Sequence, residues 1–136
     1  GVVYNPMTNE LFTAVRGQGA QLNGYRLRCS NAKELDGTIL ATGFPFKAKQ
    51  HSVTYMNIVS SLFTECADFR RTGSAALDLA YVASARVDGF FAGGIVCDFV
   101  GNPNYLHSGN IVAGNPRVVK GLLANVRDVL SESLKR

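Results

Sequence analysis

The sequence contains 136 residues, of which 46% are hydrophobic and 18% are charged. These proportions are typical of one globular domain and exclude an intrinsically disordered chain, and no apolar stretch reaches the roughly 20 residues of a membrane span. Lysine and arginine number 14 against 10 aspartates and glutamates, and this net charge of +4 is scattered, which excludes a basic nucleic-acid-binding arm.

A β-meander is predicted for the first 29 residues, because short apolar segments alternate there with turn signals. Its strands are expected at residues 2–4, 10–15, 20–22 and 25–28. The last two strands are joined by Asn23-Gly24, the strongest hairpin signal in the chain. The chain opens with an apolar strand and has neither an initiator methionine nor the layout of a signal peptide, so we expect it to start within a larger fold.

Strands and helices alternate in the middle of the chain. Apolar residues recur at helical spacing after Ser52, and Ser74 is well placed to cap a second helix. This second helix consists of small and apolar residues and is expected to be buried over most of its surface. The predicted strands lie at residues 38–42 and 66–69, and the predicted helices lie at residues 52–64 and 75–84.

The last third of the chain is predicted to add strands at residues 87–91, 95–99 and 111–113. A final amphipathic helix begins at Pro116, and its apolar stripe continues to Leu134. Because strands and helices alternate along the chain, the fold class is predicted as α/β, or α+β in layers.

The three cysteines, Cys29, Cys66 and Cys97, lie far apart and form no Cys-x-x-Cys pair. Their spacing predicts neither a zinc site nor a redox pair. We expect all three to be small buried apolar side chains. Such a sparse, odd number of cysteines is typical of a protein in the reducing cytoplasm.

The sharpest local feature is the segment from Arg70 to Ala76, in which two arginines end a predicted strand and Gly73-Ser74 opens a predicted helix. Free N–H groups at a helix N-terminus favour anions, glycine allows a ligand to come close, and arginine can donate two hydrogen bonds to a phosphate. The pattern therefore predicts a site for an anion or a sugar hydroxyl. A plain capped helix with two surface arginines explains the same residues equally well.

Other catalytic patterns are missing from the sequence, which has neither a Gly-x-x-x-x-Gly-Lys-Ser/Thr loop nor a Gly-x-Ser-x-Gly elbow. His51 and His107 are isolated, and each is expected to be a surface or loop residue. The aspartates are spread singly and form no carboxylate pair. Asp78, four residues after Ser74, is expected to face solvent.

Several longer motifs follow one another along the chain. They are Gly1-Val2-Val3-Tyr4, the segment from Glu10 to Gly24, Arg70-x-x-Gly73-Ser74-Ala75-Ala76, Val87-Asp88-Gly89-Phe90-Phe91, Ala92-Gly93-Gly94 and the segment from Asn110 to Pro116. Together they resemble the inositol monophosphatase family over nearly the whole chain. Residues 70–91 and 110–123 are especially similar to its enterobacterial branch, and several motifs in order are far more specific than one.

The resemblance implies the layered α-β-α-β-α sandwich of the sugar phosphatases, with residues 1–136 as the C-terminal portion of that domain. It also implies a homodimeric, Mg²⁺-dependent phosphomonoesterase that hydrolyses inositol 1-phosphate or a similar sugar or polyol phosphate. By motif match, Arg70 would contact the substrate and Ser74 would bind a sugar hydroxyl. Gly73 and Ala75 would offer backbone groups.

Two departures from the family pattern concern the metal site. The family's N-terminal half, which carries most of the metal-binding carboxylates, is absent from this sequence. The family also places a glutamate, a Trp-Asp motif and a helix between the Val-Asp-Gly-Phe-Phe and Ala-Gly-Gly motifs, whereas here Phe91 joins Ala92 directly and the chain has no tryptophan. We therefore expect a missing segment between Phe91 and Ala92, and neither catalytic residues nor metal ligands in this chain. Alternatively, residues 87–91 and 95–99 form a hairpin around a three-residue loop.

The resemblance also implies a role from a different class. Members of the enterobacterial branch are associated with ribosomal RNA transcription complexes that contain Nus factors and RNA polymerase. The alternative to the enzyme is therefore a non-catalytic binding role in transcription antitermination, which would depend on the protein surface. An inactive fragment is a third interpretation.

Overall fold

The computed structural model of the protein describes residues 1–44, 49–92 and 111–129. Within these ranges the chain forms two four-stranded sheets and three α-helices. The helices are α1 (Ser52–Phe63), α2 (Ala75–Ala83) and α3 (Pro116–Val129). A 3-10 turn at Lys49–His51 leads into α1. No helix of the described ranges is long and apolar enough to cross a membrane.

The first sheet, here called the meander sheet, is antiparallel throughout and has the order β1-β2-β3-β4. Its strands are β1 (Val2–Asn5), β2 (Glu10–Val15), β3 (Gly19–Leu22) and β4 (Tyr25–Arg26). Asn23 and Gly24 form the turn between β3 and β4 with φ angles of 49° and 86°. The predicted meander and its hairpin turn are therefore confirmed, although β4 ends two residues earlier than expected.

The second sheet, here called the mixed sheet, has the order β6-β5-β7-β8. Its strands are β5 (Ile39–Gly43), β6 (Asp68–Arg70), β7 (Gly89–Ala92) and β8 (Ile111–Gly114). The strands β6, β5 and β7 run parallel, and β8 runs antiparallel to β7. The predicted strand at residues 95–99, and with it the alternative hairpin, lies outside the described residues.

Two strands of the mixed sheet start about two residues later than predicted, because the preceding helices end in hydrogen-bonded turns. The amides of Glu65 and Cys66 still donate to the carbonyl of Leu62 after α1, so the ladder of β6 starts at Asp68. In the same way, the amide of Arg86 donates to Tyr81 after α2, and β7 starts at Gly89.

Helices cover both faces of the mixed sheet. Successive residues of a strand point to opposite faces, and accordingly Leu40 packs under α1 and α3 whereas Ala41 packs under α2. The larger core contains Leu35, Leu40, Tyr55, Ile58, Leu62, Phe91, Val118, Leu122 and Val126. The smaller core contains Ala41, Val82, Val87 and Phe90.

The helix α2 also contacts the meander sheet, so the layers follow the order sheet, helix, sheet, helices. The ring of Tyr81 on α2 lies 6.2 Å from that of Phe12 in an edge-to-face arrangement. Arg86, just after α2, forms an ion pair with Glu10 on β2. These contacts confirm the layered α/β class predicted from the alternation of elements.

The connection between the two sheets is tied to α3 by Asn115. The side-chain amide of Asn115 donates to the carbonyls of Ser30 and Ala32 at 3.0 and 2.9 Å. Its oxygen accepts from the amides of Arg117 and Val118 at 2.9 and 3.1 Å, which caps α3. One polar side chain therefore joins a loop to a helix start.

The expectation that the cysteines are buried is wrong for the two that the structure describes. Cys29 is exposed, because it lies in the connection between the two sheets and not on a face that a helix covers. Cys66 is only partly covered, in the turn after α1, and this burial raises the pKa of its thiol. Cys97 lies outside the described residues.

Candidate functional site

The candidate site lies at one edge of the mixed sheet. Because β5, β6 and β7 are parallel, their carboxyl ends meet at the same edge, where Ala41 pairs with Arg70 and Gly43 pairs with Ala92. Open α/β sheets bind ligands just beyond the carboxyl ends of parallel strands. The segment that follows β6 therefore stands where a ligand is expected.

Residues 71–74, here called the substrate loop, connect β6 to α2. Gly73 has a φ of +90°, a conformation that favours glycine. Ser74 adopts an extended conformation, and its hydroxyl oxygen accepts from the amide of Leu77 at 3.4 Å. The predicted N-cap is therefore confirmed, and the loop presents the start of a helix to the edge of the sheet.

The two arginines of this segment have different partners. Arg70 is half-exposed and forms an ion pair with Asp68 on its own strand, and the hydrogen bond from Arg70 lowers the pKa of the Asp68 carboxyl. The guanidinium of Arg71 lies 4.8 Å from the centre of the Phe44 ring, which supports a cation–π contact. Exposed ion pairs contribute little to stability, so Arg70 can leave Asp68 for a ligand at small cost.

The prediction that Asp78 faces solvent is wrong. Only 1% of Asp78 is exposed, and its carboxylate accepts a hydrogen bond from the hydroxyl of Thr72. The reason is that α2 lies between two sheets, so sides of the helix that would face solvent at a protein surface are packed here. Ala75 and Ala76, by contrast, are exposed, so the expectation of a helix buried over most of its surface fails in the first turn.

A second polar network lies behind the loop and holds the end of β7. The hydroxyl of Thr42 donates to the carbonyl of Phe91 at 2.9 Å, and the hydroxyl of Tyr55 lies 2.8 Å from the same Thr42 oxygen. Burial raises the pKa of the Tyr55 phenol. The ring of Phe44 packs edge-on against Tyr55 at 5.4 Å and so links this network to Arg71.

The described part of the chain does not form a magnesium site. In residues 1–44, 49–92 and 111–129 no three histidine, cysteine, aspartate or glutamate side chains come together. The carboxylates nearest the loop have other partners, since Asp68 pairs with Arg70 and Asp78 binds Thr72. Magnesium needs several oxygen ligands in octahedral geometry, so these residues do not fit the ion.

The structure brings the sequence-predicted site residues Arg70, Gly73, Ser74 and Ala75 to one strand–loop–helix connection. Such an arrangement can bind an anion through arginine and helix amides, and a hydroxyl through Ser74. Sequence reasoning missed Thr72, Asp78, Thr42 and Tyr55. The only signal for the first two was a carboxylate within the first turn of a capped helix, which is a weak one.

Known families and proteins show what this chain is similar to. A profile of the inositol monophosphatase family matches residues 1–91. Over 153 aligned positions the chain is 69% identical to the Nus factor SuhB of Escherichia coli strain K12, covering 99% of this chain and 57% of that protein. The chain thus spans little more than half the length of the curated relatives it matches.

Solved structures show the same fold. The extragenic suppressor protein suhB from Bartonella henselae superposes with a TM-score of 0.87 and 35% identity, covering 96% of this chain and 57% of that one. An inositol monophosphatase from Anabaena also has a TM-score of 0.87, with 30% identity over 98% of this chain and 62% of that one. These similarities confirm the predicted sugar-phosphatase fold.

Proposed function

Because the chain belongs to the inositol monophosphatase family, we propose that it is part of a phosphomonoesterase that hydrolyses inositol 1-phosphate or a similar sugar or polyol phosphate. The observation that carries the proposal is the substrate loop, which has the family's motif and stands at the carboxyl edge of three parallel strands. A helix start and two arginines at that edge suit an anionic ester.

Each residue of the loop has a role in this proposal. Arg70 exchanges its exposed partner Asp68 for the substrate. Gly73 lets the ligand approach the backbone, and Ala75, an exposed residue, offers its backbone N–H at the start of α2. The Ser74 oxygen accepts one hydrogen bond from Leu77, so its own hydrogen stays available for a sugar oxygen.

We further propose that magnesium and its carboxylate ligands belong to parts of a longer protein that contains this chain as its C-terminal portion. The chain spans 57% of its E. coli relative, which supports this. Two observations support a missing segment between Phe91 and Ala92. The family match ends at Phe91, and the alignment of 153 positions is longer than the 136 residues of this chain. Residues inserted there would interrupt β7, which runs from Gly89 to Ala92 and pairs with β5.

The enzyme proposal is tested by Ser74→Ala in the longer protein. Loss of the hydroxyl is expected to raise KM for inositol 1-phosphate about tenfold and to change kcat less, because one substrate hydrogen bond is lost in the ground state as well as in the transition state. The matched control is Ser74→Thr, which keeps both the hydroxyl and the N-cap. An unchanged KM in Ser74→Ala would contradict the assigned role.

The proposal of a longer protein is tested by the intact mass of the protein purified from cells. We expect a mass near twice the 14.6 kDa of this sequence. A mass of 14.6 kDa would instead favour an inactive fragment or a binding role.

A binding role in ribosomal RNA transcription antitermination is the second candidate, and the observation that favours it is the name Nus factor SuhB of the relatives at 69% identity. Under this proposal the partners are RNA polymerase and Nus factors. Reversing exposed charges, as in Arg26→Glu with Arg28→Glu, should weaken co-purification of RNA polymerase and leave hydrolysis intact. Unchanged co-purification after reversal of this and other exposed charged patches would contradict it. The homodimer and the cytoplasmic location stay predictions.

A further inference from the structure

We infer that Thr72 and Asp78 are positioning residues that hold the substrate loop in its binding conformation. Neither residue is assigned a contact with the substrate. The inference rests on the proposed function, because it concerns how the same loop recognises a sugar or polyol phosphate.

Three hydrogen bonds close a ring around Gly73. The hydroxyl of Thr72 donates to the Asp78 carboxylate. The amide of Asp78 donates to the carbonyl of Ser74 at 2.9 Å. The amide of Ser74 completes the ring through a longer contact of 3.5 Å to the Thr72 oxygen. Thr72, just before Gly73, and Ser74, just after it, are therefore both hydrogen-bonded to Asp78, and they are also bonded to each other.

The direction of these bonds is set by chemistry. An ionised carboxylate only accepts hydrogen bonds, so the single hydrogen of the Thr72 hydroxyl is directed at Asp78. The lone pairs of the Thr72 oxygen can then accept from other donors. Among the described residues, the amide of Ser74 is such a donor. Ser74 is therefore held at its backbone amide by Thr72 and at its hydroxyl oxygen by the amide of Leu77.

Helix capping by itself does not account for Asp78. Ser74 already caps α2, and Asp78 lies within the helix with 1% of its surface exposed. A carboxylate in such a position costs free energy unless it is hydrogen-bonded, although the positive end of the helix dipole reduces this cost. Only the Asp78 end of this network is buried, since Thr72 is exposed. A buried carboxylate favours the conformation in which its hydrogen bond is made. Here that conformation is the one with Gly73 at positive φ and Ser74 extended at the start of α2.

The test uses four variants of the full-length protein. Thr72→Val removes the hydroxyl at nearly constant shape, Thr72→Ser keeps it, and Asp78→Asn keeps an acceptor oxygen without the charge. Ser84→Ala is the matched control, because Ser84 binds the carbonyls of Ala80 and Tyr81 at the opposite end of the same helix. Steady-state kinetics on inositol 1-phosphate are measured together with hydrogen exchange of a peptide spanning residues 71–78.

Thr72→Val is expected to raise KM about tenfold with kcat within about twofold, the size of effect that one lost hydrogen bond gives. Exchange at residues 71–78 should become faster. Thr72→Ser should restore both values, Asp78→Asn should keep KM within about threefold, and Ser84→Ala should change neither KM nor loop exchange.

A wild-type KM and wild-type exchange in Thr72→Val would overturn the inference. An equal rise of KM in Ser84→Ala would also overturn it, since the effect would then reflect only the stability of α2. Loss of kcat without a change of KM in Asp78→Asn would make Asp78 a catalytic residue instead. If the wild-type protein does not hydrolyse the ester, the proposed function fails, and hydrogen exchange alone then decides whether the pair holds the loop.

Discussion

The two sheets of this protein differ in what covers them. The meander sheet contacts α2 with one face, and its other face exposes a row of apolar side chains: Val2, Tyr4, Leu11 and Val15. The mixed sheet has helices on both faces, and Leu40, Ala41 and Phe90 in it are fully buried. Local hairpins are therefore sufficient to define a sheet, whereas a core requires elements that are distant in sequence.

The difference in how the two sheets are covered also bears on where a ligand can be held and where another surface can pack. Residues 71–74, the proposed substrate loop, follow a strand of the mixed sheet, which has packed cores on both faces. Binding loops are most accurately held by rigid scaffolds, so this position suits the proposed role. An exposed row of apolar side chains is typical of a surface that contacts another protein segment or a partner. The outer face of the meander sheet thus agrees with the proposal that this chain is part of a longer protein.

The largest effect is expected from Leu40→Ala compared with Leu11→Ala. Leu40 is fully buried and Leu11 is 40% exposed, so the same change should cost about 3 kcal/mol of unfolding free energy in the mixed sheet and less than about 1 kcal/mol in the meander sheet. Urea unfolding of this 136-residue chain measures both values.

The same pair of variants sharpens the comparison in the longer protein. If further residues cover the meander sheet there, Leu11→Ala should cost about 1 kcal/mol more than it does in this chain. Equal costs for Leu40→Ala and Leu11→Ala in this chain would contradict the contrast between the two sheets.

A smaller effect is expected from Asn115→Ala, which acts on the connection between the sheets. The change removes the cap of α3 and two donors to the carbonyls of Ser30 and Ala32, and it should cost about 2 kcal/mol. Asn115→Asp keeps the cap but not the donors, and unfolding experiments should place it between the wild type and Asn115→Ala. An Asp variant no more stable than the Ala variant would show that the contribution of the cap does not exceed the repulsion between the new carboxylate oxygen and the carbonyls of Ser30 and Ala32.

The smallest effect concerns the ion pair between the two regions. Hydrogen bonds from Arg86 and Thr8 lower the pKa of Glu10 from 4.5 to about 2. A lowered pKa stabilises the folded state above the unfolded value, and this contribution is lost as the pH falls from 4.5 towards 2.

The measurement is the midpoint of thermal unfolding as a function of pH for the wild type and Glu10→Gln. The difference between the two proteins should be constant at neutral pH and shrink below pH 4.5. Asp68, whose pKa is also lowered, is present in both proteins and cancels from that difference. A difference that stays constant down to pH 2 would contradict the role of Glu10.

Much of the fold could be predicted from single segments. The bounds of β2 at Glu10–Val15 agree with the prediction, and so do the Asn23-Gly24 turn and the Ser74 cap. These features depend on neighbours within a few residues, and the pattern of residue types records such neighbours directly. The loop between β6 and α2 was likewise predicted, because it is one continuous segment; its role in binding a substrate stays a prediction.

The wrong predictions and the unpredicted network have one physical cause, which is that they depend on contacts between segments far apart in the chain. Asp78 was expected in solvent because helical spacing says which residues share a face but not what lies against that face. Cys29 was expected in the core, although its place in the connection between the sheets leaves it exposed. The network of Thr42, Tyr55 and the Phe91 carbonyl joins three separate elements, and no local pattern indicates it.

Within the described residues, the sequence by itself determined the order and type of the local elements, the turn at Asn23-Gly24 and the cap of α2 at Ser74. The reason is that backbone preferences and capping act over a few residues. Only the tertiary structure decided that α2 lies between two sheets and that Asp78 is buried against Thr72. It also decided that, among the described residues, helices cover both faces of one sheet and one face of the other. Those outcomes depend on contacts between segments far apart in the chain, and such contacts exist only once the layers have packed.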